Sequence, residues 1–254
     1  MSFNLRHAST RRPNSWAQRR PAMAELLNRE QPTILGTQEG LHAQLKDIHR
    51  DLPDRYDWLG VGRAGGDRDE FVAVFYDTTR LSPLESDHFW LSDTPDVVGS
   101  KSWGNKIVRM VTWVRFADLR TGREFVAINT HFDHRSEKSR RRSAALVRDR
   151  VNGVAPDLPV VLTGDFNTPA ACSVSYETLV TGAGLTDTWP AAAERRTPQY
   201  ATFHGYYPLA PNGIRIDWIL TRGATVLAAA VNTFERGGQY PSDHLPVQAL
   251  ITHG

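Results

Sequence analysis

The sequence predicts an α/β protein in which two stacked β-sheets are flanked by helices. Strand-like and helix-like stretches alternate as far as Asp51, and the chain then turns rich in strands. A second set of strands, interrupted by helical stretches, completes the sequence. This mixture fits two stacked sheets better than a doubly wound parallel sheet.

The first part of the chain predicts two strands, each followed by a helix. A strand at Ser2–Arg6 precedes a helix whose best part is Ala22–Arg29, and a second strand covers Thr33–Thr37. A second helix is predicted over Leu41–Asp51, because apolar residues recur there at helical spacing, at Leu41, Leu45, Ile48 and Leu52.

The remaining elements are mostly strands. Strands are predicted at Phe71–Tyr76, Phe89–Leu91, Ile107–Phe116 and Glu124–Thr130, with a tight turn at Thr121-Gly122. Ser136 can cap a helix from Glu137 to about Val151, and Gly153 lies just beyond its end. The last predicted elements are strands at Val160–Leu162, Ile214–Leu220 and Val247–Ile251, with a short helix at Tyr176–Val180.

Length and composition narrow the function classes. The 254 residues show no linker and no internal repeat, so a single domain over 1–254 is expected. The single cysteine, Cys172, excludes an intrachain disulfide and a cysteine-clustered zinc site. The longest apolar run, around Thr225–Val231, is too short to cross a bilayer. A net charge of +2 provides no large cationic field for nucleic acid. A monomer is expected.

The amino terminus carries no signal peptide before Met1, so a cytoplasmic location is expected for the chain as given. The predicted strand at Ser2–Arg6 begins almost at the first residue. Secretion is therefore the alternative, if an export signal once preceded this segment.

Polar side chains follow or end several predicted strands, where a loop can expose them at a common sheet edge. They are Asn4, Glu39, His131, Asp165, Asn167, Asp217, Asp243 and His244. Four converging carboxylates would repel one another, and a bound divalent cation is the usual remedy. Oxygen ligands favour Mg²⁺ or Mn²⁺ over zinc. With two histidines and two asparagines, the set suits metal-assisted hydrolysis of a phosphoester.

The order of three short motifs is more specific than any single residue. Gly164-Asp165-Phe166-Asn167 is followed about fifty residues later by Ile216-Asp217-Trp218, and then by Ser242-Asp243-His244-Leu245-Pro246. With these motifs the sequence resembles the endonuclease/exonuclease/phosphatase superfamily over nearly its whole length. The resemblance implies a four-layer α/β/β/α sandwich of two mixed β-sheets flanked by helices.

The resemblance also implies a role for each motif residue. Glu39 matches the metal-binding glutamate of the superfamily, Asn4 the asparagine beside it that helps to hold metal or phosphate, and Asp243 the second carboxylate on the metal side. Asp165 matches the carboxylate that aligns water or serves the leaving group, and Asn167 the amide that grips the phosphate.

Two histidines complete the implied site. Asp217 matches the aspartate that orients the catalytic histidine, here His244. His131 matches a phosphate-binding or acid histidine of deoxyribonuclease-like members. Abasic-site enzymes have a tyrosine at that position, so His131 makes an abasic-site specialist less favoured.

Arg109 lies within the predicted strand Ile107–Phe116, where alternation places it on one face with Ile107, Val111 and Trp113. An arginine on a mostly apolar face needs a partner. Two interpretations stay open: an ion pair with a carboxylate, or a guanidinium that reaches into the cleft and binds substrate.

The expected function is hydrolysis of a phosphomonoester or phosphodiester, dependent on Mg²⁺ or Mn²⁺. The expected partner is a phosphate ester: a nucleotide, a nucleic acid, an inositol phosphate or a phospholipid headgroup. The near-neutral net charge favours a small or short substrate, with a nuclease as the alternative. A metal-binding scaffold without catalysis is disfavoured because the acidic set is complete.

Overall fold

The protein is described by a computed structural model that covers residues 1–253. In chain order, the first elements are β1 (Ser2–Asn4), α1 (Trp16–Glu30), β2 (Ile34–Leu41), α2 (His42–Asp51), β3 (Tyr56–Leu59), β4 (Glu70–Asp77), β5 (Leu81–Trp90), β6 (Met110–Asp118) and β7 (Glu124–His131). The later ones are α3 (Glu137–Val154), β8 (Val160–Asp165), α4 (Val174–Val180), β9 (Thr186–Asp187), α5 (Thr188–Ala191), β10 (Glu194–Arg195), β11 (Asp217–Arg222), β12 (Thr225–Val231) and β13 (Val247–Thr252).

The strands form two mixed sheets, which confirms the predicted fold class. A seven-stranded sheet has the order β10-β12-β13-β1-β2-β4-β3, and a six-stranded sheet has the order β5-β6-β7-β8-β11-β9. In the first sheet β1 is parallel to β2 and antiparallel to β13. In the second, β8 is parallel to β7 and antiparallel to β11. Over residues 1–253, no helix combines the length and the apolar character needed to span a membrane.

Three apolar clusters hold the four layers together. Helices α1 and α2 bury Met23, Leu26 and Leu45 against the outer face of the seven-stranded sheet. Helices α3 and α4 pack on the outer face of the six-stranded sheet. A third cluster lies between the sheets and includes Val74, Phe116, Phe125, Val161, Ile219 and Val247. Burial of this apolar surface is the main favourable contribution to folding.

A polar layer also joins the sheets beneath the edge where β2 ends. Gln38 Nε2 donates to Asn129 Oδ1 at 2.7 Å, and Asn129 Nδ2 donates to the carbonyl oxygens of Thr37 and Ala73 at 2.7 and 2.9 Å. The sheets approach so closely here that a Cβ on Gly36 would lie 2.0 Å from Thr163 Oγ1. These bonds fix the end of β2 relative to β7.

Several boundaries differ from the prediction, for physical reasons. Helix α1 extends from its best predicted part, Ala22–Arg29, upstream to Trp16, although Pro21 lies inside it. Its first turns are stabilised by contacts with α2, because Trp16 Nε1 donates to Asp47 and Arg20 binds Asp51. Strand β5 extends far upstream of Phe89 because it pairs with β6 over its whole length.

Other differences are four strands that were not predicted and the start of one strand. The short strands β3, β9 and β10 were not predicted, and neither was β12, which pairs along β13. Strand β6 begins at Met110, so Arg109 precedes the strand instead of lying inside it. Its direction is therefore set by the loop before β6 and not by strand alternation alone.

Candidate active site

The predicted site residues converge at one edge of the two sheets. Strands β1, β7 and β8 end there on Asn4, His131 and Asp165. Strand β11 is antiparallel to β8 and starts at the same edge, with Asp217 opposite Asp165 in the register. Parallel pairing places His131 beside Asp165. Topology alone thus brings together residues that are far apart in the chain.

Asn4 connects two of the carboxylates. Its Nδ2 lies 3.0 Å from Glu39 Oε1 and 2.9 Å from Asp165 Oδ2. The backbone N–H of Arg6 donates to Asn4 Oδ1 at 2.9 Å, which fixes the orientation of the amide. Asn4 is completely buried and acts as a two-way donor between two acids.

Glu39 reaches the site from an irregular part of β2. The register between β2 and β4 shifts between Thr37 and Gly40, and Glu39 has a φ of 65°. A non-glycine residue in this left-handed region is strained, so the surrounding structure must impose the conformation. Burial alone would raise the pKa of Glu39, but hydrogen bonds from His7 and Asn4 help to hold that pKa well below its usual range. Glu39 therefore keeps its negative charge.

Asp165 lies at the centre of the site. Its Oδ2 is 3.4 Å from His131 Nε2 and 3.8 Å from His244 Nε2. Burial, together with the nearby Asp217 carboxylate, raises the pKa of Asp165 to about 7. Asp165 can therefore hold or release a proton close to neutral pH.

The loop after Asp165 directs Asn167 toward the same point. The backbone N–H of Asn167 donates to Asp165 Oδ1 at 2.9 Å, and its Nδ2 lies 3.0 Å from His131 Nε2. Burial and the charge of Arg109 lower the pKa of His131, so the ring is neutral and its Nε2 can accept this bond. Beneath the loop, Phe166 stacks on Trp218 with ring centroids 4.2 Å apart.

His244 and Asp217 form a buried pair. His244 Nδ1 lies 2.9 Å from Asp217 Oδ2, which leaves Nε2 directed toward Asp165. Burial alone would lower the pKa of His244, but the Asp217 carboxylate, with help from Asp165, raises it to about 10. Thr202 Oγ1 accepts the backbone N–H of Asp217 at 3.1 Å, and the Phe203 ring lies 5.0 Å from the His244 ring.

Asp243 lies at the side of this cluster. Its Oδ2 is 3.6 Å from Arg6 Nε, and Ser242 Oγ lies 3.3 Å from its Oδ1. Ser242 Oγ also donates to the carbonyl oxygen of Asn4 at 2.6 Å, so the loop before β13 is attached to β1.

Arg19, on α1, holds the backbone of both of these segments. Its buried guanidinium donates to five carbonyl oxygens at 2.7–3.3 Å: those of Leu5, Arg6, His7, Asn14 and Pro241. Three of these acceptors directly follow Asn4, and Pro241 precedes Ser242. Arg19 thus joins the segment after β1 to the loop that carries His244.

Arg109 faces a small cavity at the other side of the cluster. The cavity has a volume of about 10 Å³ and is lined by Glu39, Arg63, Glu70 and His131 as well as Arg109. Arg109 Nη2 lies 3.2 Å from His134 Nδ1. Within residues 1–253, no carboxylate oxygen comes within 4.0 Å of this guanidinium. Of the two interpretations left open by the sequence, the geometry favours a guanidinium that faces the cleft.

Seven of the nine predicted site residues therefore form one connected cluster: Asn4, Glu39, His131, Asp165, Asn167, Asp217 and His244. Asp243 and Arg109 flank it. Sequence reasoning did not single out His7, Arg19, Thr202 or Phe203. None of them lies in a recognisable motif, and Arg19 is one cation among several on its helix.

The donor set fits a hard divalent cation. One ligand atom each from Glu39, His131 and Asp165 lie within 4.8 Å of one another, and a second such group consists of Asp165, Asp217 and His244. Asp217 Oδ1 is buried without a hydrogen-bond partner. Clustered carboxylate oxygens with few balancing cations are typical of Mg²⁺ and Mn²⁺ sites. Asp243 belongs to neither group, and its role as a ligand stays a prediction.

Comparison with known families agrees with the order of the motifs. The model of the endonuclease/exonuclease/phosphatase family matches residues 1–244. The chain belongs to the endonuclease/exonuclease/phosphatase family. Members of this family are hydrolases that act on phosphoester bonds, and they usually use a divalent metal.

Solved structures of the endonuclease/exonuclease/phosphatase family share the fold over the whole chain. A mannosyl-6-phosphatase from Bacteroides thetaiotaomicron is 34% identical, with a TM-score of 0.90 and coverage of 99% of this chain and 98% of that one. A family member from Bacteroides vulgatus is 33% identical, with a TM-score of 0.93 and coverage of 100% and 97%.

Two further matches support either the fold alone or only part of the chain. The human Nocturnin catalytic domain, at 17% identity and a TM-score of 0.76, covers 98% of this chain and 91% of its own and shares the fold alone. An uncharacterised protein of Acanthamoeba polyphaga mimivirus is 30% identical over 162 residues. That match spans 60% of this chain and 59% of the viral protein.

Proposed function

We propose that the protein is a phosphoesterase, dependent on Mg²⁺ or Mn²⁺, that hydrolyses a small phosphorylated molecule by attack of water on phosphorus. The arrangement around Asp165 Oδ2 carries the proposal. Two histidine Nε2 atoms lie 3.4 and 3.8 Å from this oxygen, and the Asn4 amide lies 2.9 Å from it. A phosphate held among these groups would meet a proton carrier, amide donors and a metal-binding carboxylate at once.

A bound divalent cation, held by Glu39 with Asn4 beside it, would neutralise charge on the phosphate oxygens and favour attack by water. Asn4, Asn167 and His131 would bind and orient the phosphoryl group. Asn167 and His131 already share a hydrogen bond of 3.0 Å, so their geometry is set before substrate arrives. A preorganised donor such as the Asn167 amide stabilises charge as it develops in the transition state.

Proton movement would be the task of Asp165 and of the His244–Asp217 pair. Asp217 fixes the imidazole so that Nε2 faces the cleft, and the raised pKa of His244 favours its charged form, which stabilises the negative phosphoryl oxygens. Asp165, with a pKa raised to about 7, would align the attacking water or pass a proton to the leaving oxygen.

The preference for a small substrate has two supports. The net charge of +2 provides no strong attraction for a polyanion. A relative with 34% identity over nearly the full length of both chains is named as a mannosyl-6-phosphatase. A phosphorylated sugar is therefore the first substrate class to assay.

The decisive experiment is a panel assay with the metal-stripped protein after Mg²⁺ or Mn²⁺ has been added back. The panel holds mannose 6-phosphate, mononucleotides, inositol phosphates, sphingomyelin, polyadenylate and plasmid DNA. Release of phosphate from a small ester, abolished by EDTA, is the expected result. Preferential cleavage of DNA or polyadenylate, with activity falling steeply as salt rises, would instead establish a nuclease. Full activity without metal would contradict the metal-dependent mechanism.

A further inference from the structure

Arg109 is a buried cation, and within residues 1–253 no carboxylate oxygen lies within 4.0 Å of its guanidinium. Arg109 is 4% exposed. In the part of the chain that the structure describes, its Nε has no hydrogen-bond partner, and the hydrogen-bond partner of its Nη2 is His134 Nδ1, at 3.2 Å. Leaving a buried charge unpaired is costly, so such groups in proteins are normally paired or bind a ligand. Arg109 can therefore bind an anionic group of a ligand.

The carboxylates nearest to Arg109 have other partners. Glu70 Oε2 binds Arg63 Nη1 at 2.7 Å, and Asp69 binds Arg63 Nη2 at 2.8 Å. Asp133 Oδ1 accepts the backbone N–H groups of Arg135 and Ser136 at 2.9 and 2.6 Å. Glu39 and Asp165 belong to the group of side chains that could hold a metal ion.

The adjoining histidines do not compensate the charge of Arg109 either. A histidine ring is neutral or positively charged, so neither His131 nor His134, whose Nδ1 lies 3.2 Å from Arg109 Nη2, can neutralise the guanidinium. The positive charge of Arg109 therefore remains available to a ligand.

The space in front of Arg109 is small, and apolar side chains form part of its wall. The cavity shared by Arg109, Glu39 and His131 has a volume of about 10 Å³, and Phe71, Val108 and Met110 form part of its wall. About 10–15 Å³ accommodates one water-sized group. The cavity can therefore accept a single oxygen atom of a ligand that lies beside Glu39 and His131, and it is too small for a sugar, a nucleoside or an acyl chain.

We propose that this cavity receives the third non-bridging oxygen of a phosphomonoester, and that Arg109 makes the enzyme selective for phosphomonoesters over phosphodiesters. This inference rests on the proposed function and deepens it. A monoester has three non-bridging oxygens and up to two negative charges, whereas a diester has two such oxygens and one charge. In a diester, the third position carries a substituent that does not fit, and the weaker charge gains less from a buried guanidinium.

The test compares two substrates that share a leaving group, p-nitrophenyl phosphate and bis(p-nitrophenyl) phosphate, at saturating Mg²⁺ or Mn²⁺. The wild-type enzyme should have the higher kcat/KM for the monoester. Arg109→Gln should lower kcat/KM for the monoester by about 100- to 1000-fold, the usual loss for one preorganised donor, with a change of less than about threefold for the diester. Inhibition by inorganic phosphate, which lacks a leaving group, should weaken in parallel.

Two further variants separate selectivity from folding. Arg109→Lys keeps the charge but loses the planar fork, so it should fold and show an intermediate loss for the monoester. Arg115→Gln, which removes a half-exposed arginine of β6 that is paired with Glu124 of β7, should leave the substrate ratio unchanged. Equal losses for both substrates in the two Arg109 variants, or a wild-type preference for the diester, would overturn the inference while leaving phosphoesterase activity established. A wild-type enzyme inactive on both substrates and on the panel above would overturn the proposed function and this inference with it.

Discussion

Asn4 Nδ2 donates a hydrogen bond of 2.9 Å to Asp165 Oδ2, a residue 161 positions later in the chain and in the opposite sheet. The same nitrogen lies 3.0 Å from Glu39 Oε1. One amide therefore separates the buried Asp165 from the part-buried Glu39 and holds the facing edges of the two sheets together.

Replacement of Asn4 by Asp should destabilise the metal-free protein and increase its dependence on metal. The variant loses two charge-assisted hydrogen bonds and places a third carboxylate between two others, so we expect a loss of about 2–3 kcal/mol in the free energy of unfolding in EDTA. Addition of Mg²⁺ or Mn²⁺ should raise its Tm more than that of the wild type.

The control for this variant is Asn152→Asp, which adds the same charge on the exposed face of α3 beside Arg222. Its stability should change by no more than about 0.5 kcal/mol, with or without metal. If Asn4→Asp behaves in the same way as this control in thermal unfolding, Asn4 has no role in separating the acids.

Glu39→Gln and Asp165→Asn should have different effects on metal binding and on turnover. Glu39 stays ionised because its pKa is held well below the usual range, so loss of this charge in Glu39→Gln should weaken metal affinity by at least about tenfold. Asp165→Asn should lower kcat by about 100-fold or more with a smaller change in metal affinity, because Asp165 is assigned to proton movement. Calorimetric titration of metal, compared with the rate as a function of metal concentration, distinguishes the two. Coincident metal curves for both variants would contradict the separate roles.

The extent to which the sequence predicts this site depends on how each residue is positioned. Asn4, His131, Asp165 and Asp217 are carried by strand ends, so motif order and strand polarity were enough to place them at one edge. Glu39 was found by resemblance, but its φ of 65° at a strand irregularity is a consequence of packing that no local pattern encodes. Arg109 was placed in a strand that begins only at Met110.

Contacts that depend on long-range packing could not be predicted from the sequence. In the sequence, Arg19 is one of several arginines on its helix. In the structure its side chain is completely buried and donates to the carbonyl oxygens of Leu5 and Pro241, which lie in different segments beside the site. The edge strands β3, β9 and β10 are short, and they are stabilised by their neighbours in the sheets and not by strand propensity. In both cases the deciding interactions come from residues distant in the chain.

Arg19→Met should destabilise the protein far more than the same change at the next position. Removing the guanidinium takes a donor from five carbonyl oxygens, and those of Leu5 and Arg6 keep a second donor in Gln44 Nε2. The oxygens left unsatisfied cost about 1–3 kcal/mol each, so a loss of more than about 3 kcal/mol is expected. Arg20→Met removes a part-exposed arginine that binds Asp47 and Asp51, and should cost about 1 kcal/mol or less. Chemical denaturation measures both. Equal destabilisation of the two variants would show that the carbonyl contacts of Arg19 contribute little.

His244→Ala should lower kcat at saturating substrate by about 100- to 10,000-fold, with little effect on metal affinity. The reason is that Asp217 holds His244 Nδ1 at 2.9 Å, which fixes Nε2 toward Asp165 in the cleft. Asp217→Asn should produce a similar defect, because the ring loses its orienting partner and the charge that raises its pKa. Since residues that act as one unit have non-additive effects, the double variant should be little worse than either single variant. The structural alternative is that the pair only stabilises the sheet edge, and a matched measurement of Tm and kcat separates the two. If both variants lose thermal stability while the folded fraction retains near-normal turnover, the catalytic role of the pair is wrong.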